Sequence, residues 1–146
     1  MNWPKAKSFQ FEELEIGQFS THRMTITAKL IENFAVLIGD YHPLHTDKNY
    51  CKANGFIDRI AHGTLLTSLS SRIIGMDLPG KNAILLTQSA EYLKPVYVGD
   101  HLDFLATILH LKKSLRIVTI EINVRNQLSD LVSRHKFSVK IRELLT

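Results

Sequence analysis

Apolar and polar residues alternate in three long runs in the second half of the chain. Val118, Ile120, Ile122 and Val124 are separated by Thr119, Glu121 and Asn123. Leu102, Phe104, Ala106 and Ile108 repeat the pattern, and so do Phe137, Val139 and Ile141 among Lys136, Ser138 and Lys140. A period of two is the signature of a strand that buries one face. Ala83 to Leu93 is a weaker fourth run. Turn signals at Val98-Gly99-Asp100, Lys112-Lys113-Ser114 and Gln127-Leu128-Ser129-Asp130 separate the later runs. Short links of this kind predict an antiparallel meander, because parallel pairing needs long crossovers.

The first half has a different period. Phe19 to Ile26 reads as a strand. Thr27 can cap a helix over Ala28 to Ile38, on which Leu30, Ile31, Phe34, Leu37 and Ile38 form an apolar face, and Gly39 suits its end. Asp40 to Asp58 is polar and reads as a structured loop, with a helical turn around Lys48 to Ala53. Gly63 to Gly75 is a second helix. Leu65, Leu66, Leu69 and Ile73 form its apolar stripe, while Gly63, Thr67 and Ser71 put small residues on another side. Such a side admits a close-packed neighbour or a ligand. Leu78-Pro79-Gly80 ends the unit. A helix followed by four antiparallel strands is an α+β protein whose helix buries its stripe on the sheet. Exposed sheet edges favour pairing with another subunit.

Composition narrows the class rather than the function. With 146 residues, 45% of them hydrophobic and 22% charged, the chain suits one globular domain. Eighteen Lys and Arg against fourteen Asp and Glu leave a net charge of +4. That suits a phosphorylated cofactor, an acidic carrier protein or nucleic acid, but the basic residues are dispersed and no nucleic-acid motif accompanies them. Cys51 is the single cysteine, so no internal disulfide forms. No apolar run approaches the ~18 residues of a membrane span, and residues 1–18 lack the apolar segment of a signal peptide. The expectation is a cytoplasmic protein without membrane or nucleic-acid partners.

Two clusters hold the chemistry-bearing residues. In Gly39-Asp40-Tyr41-His42-Pro43-Leu44-His45-Thr46-Asp47 a carboxylate and an imidazole stand five residues apart in a loop stiffened by proline. Asp40 and His45 can converge on one water, with histidine working as acid or base near neutral pH; a capping and turn segment is the alternative. His42 and Asp47 widen the options to a metal, but no zinc pattern completes the set, and no metal site is expected. The second cluster, Arg59-Ile60-Ala61-His62-Gly63-Thr64, directly precedes the small-faced helix. The first amides of a helix lack internal partners and carry its positive dipole end. A glycine there leaves room for a carbonyl oxygen, as in an oxyanion hole; an ordinary helix start capped by His62 or Gly63 is the alternative.

Gly39-Asp40-x-x-Pro43-Leu44-His45-x-Asp47, Arg59-Ile60-Ala61-His62-Gly63, Leu78-Pro79-Gly80 and Pro95-Val96-x-Val98-Gly99-Asp100 resemble, in order and spacing, the MaoC-like or (R)-specific enoyl-CoA hydratases of the hotdog fold. The resemblance runs from about Phe19 to the C-terminal strand. It implies a single hotdog domain over residues 1–146, with 1–18 as an N-terminal extension and a long central helix wrapped by an antiparallel sheet. Pairing into homodimers is implied as well. The implied reaction is hydration of a trans-2-enoyl thioester to an (R)-3-hydroxyacyl thioester, and its reverse. The family's catalytic pair falls on Asp40 and His45, its thioester-binding glycine on Gly63, and a serine that supports the aspartate on Ser71. The carrier is coenzyme A or acyl-carrier protein, part of the substrate, and no resident cofactor is implied. His42 stands where the family commonly has asparagine. A hotdog thioesterase and a non-catalytic acyl-thioester-binding module are the competing readings.

Overall fold

The structure is a computed structural model that describes residues 1–143. It contains β1 (Phe19–Thr25), α1 (Ala28–Ile38), α2 (Pro43–Thr46), α3 (Lys48–Ala53), α4 (Gly63–Met76), β2 (Ala83–Tyr92), β3 (His101–Lys112), β4 (Ile117–Arg125) and β5 (Leu131–Ile141). The five strands form one antiparallel sheet in the order β1-β3-β4-β5-β2. No helix among the described residues is long and apolar enough to cross a membrane.

The period-two runs behave as their pattern dictates. Leu102, Phe104, Ala106 and Ile108 of β3, the four apolar positions of β4, and Phe137, Val139 and Ile141 of β5 are all buried. They form one core with Leu65, Leu66, Ile73 and Ile74 of α4. Burying a side chain of this size contributes about 1.5–3 kcal/mol, so this interface dominates the stability of the fold. The layout is the expected hotdog, a central helix wrapped by a sheet.

The meander holds only for β3, β4 and β5. β2 does not pair with β3; it lies at the opposite edge, against β5. The connection through Leu93–Asp100 is too long for a hairpin, and its polar groups bond elsewhere. Ala61 N donates to Val96 O (2.7 Å), and Val98 N donates to Arg59 O (3.2 Å). The chain thus crosses to the far side of the sheet alongside the segment that starts α4. The Asp100 carboxylate closes this crossing, accepting from Tyr97 N (2.8 Å) and Gln127 Nε2 (2.8 Å).

The helix α1 also differs in one respect. Thr27 Oγ1 accepts from Leu30 N as expected, and Gly39 ends the helix at φ 73°. Ile31 and Ala35 are buried, but Leu37 is 78% exposed and Ile38 48%. At 100° per residue Leu37 lies roughly 120° around the helix from Ile31, off the packed face. The N-terminal segment is more than an extension. Phe11 and Leu14 are part of the core, and Lys7 N donates to Met76 O (2.9 Å) while Lys81 N donates to Lys7 O (2.9 Å).

One polar cluster is sealed between α4 and the sheet. Ser70 and His135 are fully buried and bond through Ser70 Oγ and His135 Nδ1 at 2.7 Å. Burial pushes the His135 imidazole down to about 4, so it is neutral at neutral pH. Among the described residues His135 Nε2 and Ser133 Oγ are buried without a hydrogen-bond partner.

Candidate active site

The Asp40–Asp47 loop is built from local hydrogen bonds. Gly39 turns the chain out of α1, and Asp40 Oδ1 accepts from His42 N (3.1 Å). Pro43 occupies the first turn of α2, where its missing N–H costs nothing. His42 Nδ1 accepts from Leu44 N (3.2 Å) and so caps α2. An asparagine side chain would accept in the same way, which accounts for histidine at this position without giving it a chemical role. Asp47 caps α3 by accepting from Asn49 N (2.8 Å) and Tyr50 N (3.0 Å). Cys51 is buried, and its thiol points to Leu44 O (3.2 Å). Burial first, then Asp58 and Asp47, push that thiol up, so it serves packing rather than nucleophilic chemistry.

Two hydrogen bonds clasp this loop to the segment before α4. Ile60 N donates to Leu44 O (3.0 Å), and His45 Nδ1 lies 2.8 Å from Ile60 O. A carbonyl only accepts, so His45 carries its proton on Nδ1 and keeps a lone pair on Nε2. The imidazole lies below its ordinary value, chiefly because it is partly buried, with further lowering from His62 against opposing contributions from Ile60 O and Asp40. Arg59 pairs with Glu32 (3.1 Å) and ties the same segment to α1.

His62, read from the sequence only as a helix cap, packs against this loop. It is 2% exposed, and its ring stacks on that of His45, with centroids 3.7 Å apart. Its Nε2–H donates to Asp40 O (3.1 Å), and the same nitrogen lies 3.8 Å from Asp40 Oδ2. Single donor atoms of Asp40, His45 and His62 all lie within 4.8 Å of one another. The set could in principle hold a metal ion. However, the His62 nitrogen facing the carboxylate is already engaged by the Asp40 carbonyl. That leaves Asp40 Oδ2 and His45 Nε2 as acceptors that one water can bridge.

The helix α4 begins directly behind this pair. His62, its N-cap, makes no side-chain cap bond, so the first amides face outward with the positive end of the helix dipole. Gly63 lies under the ring of Tyr92: a Cβ there would come 2.9 Å from Tyr92 Cζ, so a larger residue would require the ring to shift. Gly63 and His45 line one cavity of about 380 Å³ with Phe56, Leu66, Tyr92 and Val96. The structure brings Asp40 beside His45, and His45 and Gly63 to one cavity. No hydrogen bond joins Ser71 to Asp40 among the described residues. Ser71 lies eight residues along α4 from Gly63, roughly 12 Å of helix, and it lines a different cavity with Thr64, Thr67 and Ser68.

Residues 13–130 match the family model described as a MaoC-like domain. An (R)-specific enoyl-CoA hydratase of Aeromonas caviae is 34% identical over 116 residues, spanning 80% of this chain and 87% of that protein. An (R)-specific enoyl-CoA hydratase of Rhodospirillum rubrum is 35% identical over 109 residues, spanning 75% and 76%. Among solved structures, the R-hydratase PhaJ1 of Pseudomonas aeruginosa superposes with a TM-score of 0.89 at 30% identity, over 94% of this chain and 88% of that one.

Proposed function

The chain belongs to the family of MaoC-like domains, and from that premise we propose that it hydrates trans-2-enoyl thioesters to (R)-3-hydroxyacyl thioesters and catalyses the reverse dehydration. The carrying observation is the grouping of Asp40 and His45, a donor atom of each lying within 4.8 Å of the other, with a helix start that has no side-chain cap close by.

The chemistry follows from these groups. A water accepted between Asp40 and His45 attacks C3 of the enoyl group and passes a proton to the pair. A proton is returned to C2, so H and OH add across the double bond. Negative charge grows on the thioester oxygen meanwhile, and Gly63 N–H at the positive end of α4 stabilises it. A donor of this kind is typically worth about 2.7–4 kcal/mol in the transition state. His62 acts on the pair indirectly: its stacking on His45 and its bond to the Asp40 carbonyl hold the loop against α4. The reaction calls on no group beyond the substrate's own thioester. The carrier is coenzyme A or acyl-carrier protein, and the net charge of +4 suits either phosphorylated group.

The decisive experiment follows the loss of enoyl absorbance of crotonyl-CoA, with chiral analysis of the product and a parallel assay for released thiol. The expected result is (R)-3-hydroxybutyryl-CoA without thiol release. Thiol release without hydration would replace this reading with the thioesterase one, and binding without turnover would replace it with a non-catalytic module.

The working unit is a homodimer. Among the described residues β2 is an edge strand paired only with β5, and it leaves Ile84, Leu85 and Leu86 between 42% and 47% exposed. An apolar open edge of this kind is a template for a second copy. Sedimentation equilibrium should give twice the chain mass of 16.6 kDa, and Leu85→Lys should shift the equilibrium toward monomer. A wild-type protein that stays monomeric at micromolar concentration would overturn the pairing.

A further inference from the structure

The small-residue side of α4 is occupied at one end and open at the other. The ring of Tyr92, the last residue of β2, lies over Gly63: the three outer ring carbons would be 2.9 to 3.1 Å from a Cβ at that position. The Tyr92 hydroxyl is 2.6 Å from Thr67 Oγ1. Thr67 Oγ1 in turn donates to Gly63 O at 3.4 Å, so it receives the Tyr92 proton. One aromatic ring therefore covers the first turn of α4 and is fixed there by a hydroxyl bond.

Tyr92 also separates two cavities. On one side is the space that holds His45 and Gly63. On the other is a cavity of about 360 Å³ lined by Thr64, Thr67, Ser68, Ser71, Gln88 and Ser89, with Tyr92 forming the wall the two have in common. Behind the ring stands the sealed polar cluster, with the His135 ring centroid 6.1 Å from that of Tyr92. His135 Nε2 and Ser133 Oγ have no partners there among the described residues.

Building on the hydratase reading, we infer that Tyr92, latched to Thr67, is a specificity-determining residue that restricts the enzyme to short acyl groups. A thioester oxygen at Gly63 N–H sets C2 and C3 beside Asp40 and His45. The remaining carbons then meet the Tyr92 ring within one turn of α4, about 5.4 Å. A longer alkyl chain running along the helix has to displace the ring and break its bond. It then enters a space of hydroxyls and amides, where its apolar surface gains little and leaves polar groups without hydrogen bonds. The barrier is steric at the ring and chemical beyond it, and both parts act against long chains.

The test is a series of crotonyl-, hexenoyl-, octenoyl- and dodecenoyl-CoA hydration assays on wild type, Tyr92→Phe, Tyr92→Ala and Thr67→Val. Wild type should show kcat/KM falling steeply beyond hexenoyl-CoA. Tyr92→Phe and Thr67→Val, which free the ring but keep it, should raise the octenoyl-to-crotonyl ratio of kcat/KM several-fold, mainly through KM. Tyr92→Ala, which merges the two cavities, should raise it by about tenfold or more, the range in which one to a few buried methylenes discriminate between substrates. Because the ratio is internal to each variant, a general loss of activity or stability does not mimic it. Wild type that turns over octenoyl-CoA as well as crotonyl-CoA, or an unchanged ratio in all three variants, overturns the inference while leaving the hydratase reading standing. Wild type that hydrates none of the four overturns both.

Discussion

Asp40→Asn is expected to lower the kcat for crotonyl-CoA hydration by about 10²- to 10⁴-fold, the usual worth of a positioned acid–base group. The substitution is nearly isosteric, and the structure says what it keeps. The amide oxygen can still accept from His42 N, as Asp40 Oδ1 does at 3.1 Å. The Asp40 carbonyl still accepts from His62 Nε2. The loop therefore closes as before, and thermal unfolding should be unchanged within about 2 °C, the shift expected for well under 1 kcal/mol. What is lost is the second acceptor for the shared water. An amide nitrogen in its place donates rather than accepts, so the water is no longer aimed at C3 and its proton has no carboxylate to reach. The loss should fall on kcat, with KM little changed, because Asp40 acts on the reacting water rather than on the carrier. A variant within a few-fold of wild-type kcat would remove Asp40 from the mechanism.

Most of the scaffold that holds this loop could be read from residue order alone. The strands β3, β4 and β5 and the helices α1 and α4 have two faces of different polarity, and burial enforces that difference. The placement of β2 could not be read. Its residues are mostly exposed because it lies at an edge, so no alternation marks it. Pairing with β5 depends on where Leu93–Asp100 crosses, which long-range bonds to Arg59 and Ala61 decide. Leu37 departs from its pattern for the opposite reason: it is apolar by sequence, but among the described residues nothing covers α1 at that angle.

In the proposed site, spacing and resemblance point to Asp40, His45 and Gly63, since a loop and a helix start are local features. They did not find the stacking of His62 on His45, although His62 sits inside the second motif. Contact between those rings depends on the clasp from Leu44 to Ile60, which joins residues 16 apart in the chain. Tyr92 was silent for the same reason. Its hydroxyl partner is 25 residues away on α4, and a tyrosine at the end of an irregular strand carries no periodic signal. Ser71 shares the Gly63 side of α4, as helical spacing predicts, and about two turns along the helix it lines the cavity on the far side of Tyr92.

His45→Gln should match Asp40→Asn in severity and differ from it in pH dependence. In the wild-type protein the imidazole donates Nδ1–H to Ile60 O and offers Nε2 to the water, so only the neutral ring works in hydration. Partial burial, the largest influence, holds its pKa below the ordinary histidine value of about 6.5. The sign follows directly. Above that depressed value the ring is neutral and the enzyme is active; as the pH falls through it, Nε2 takes a proton and kcat/KM drops. The acid limb should therefore lie below about 6.5. The same shift costs stability in acid, because the unfolded chain binds this proton more readily; the loss begins as the pH falls below the unfolded value and is complete below the folded one. A glutamine does not titrate. The residual activity of His45→Gln should be about 10²- to 10⁴-fold lower and flat across the window in which wild type declines. An acid limb that persists unchanged in His45→Gln would assign the titration to another group, and near wild-type turnover would remove His45 from the pair.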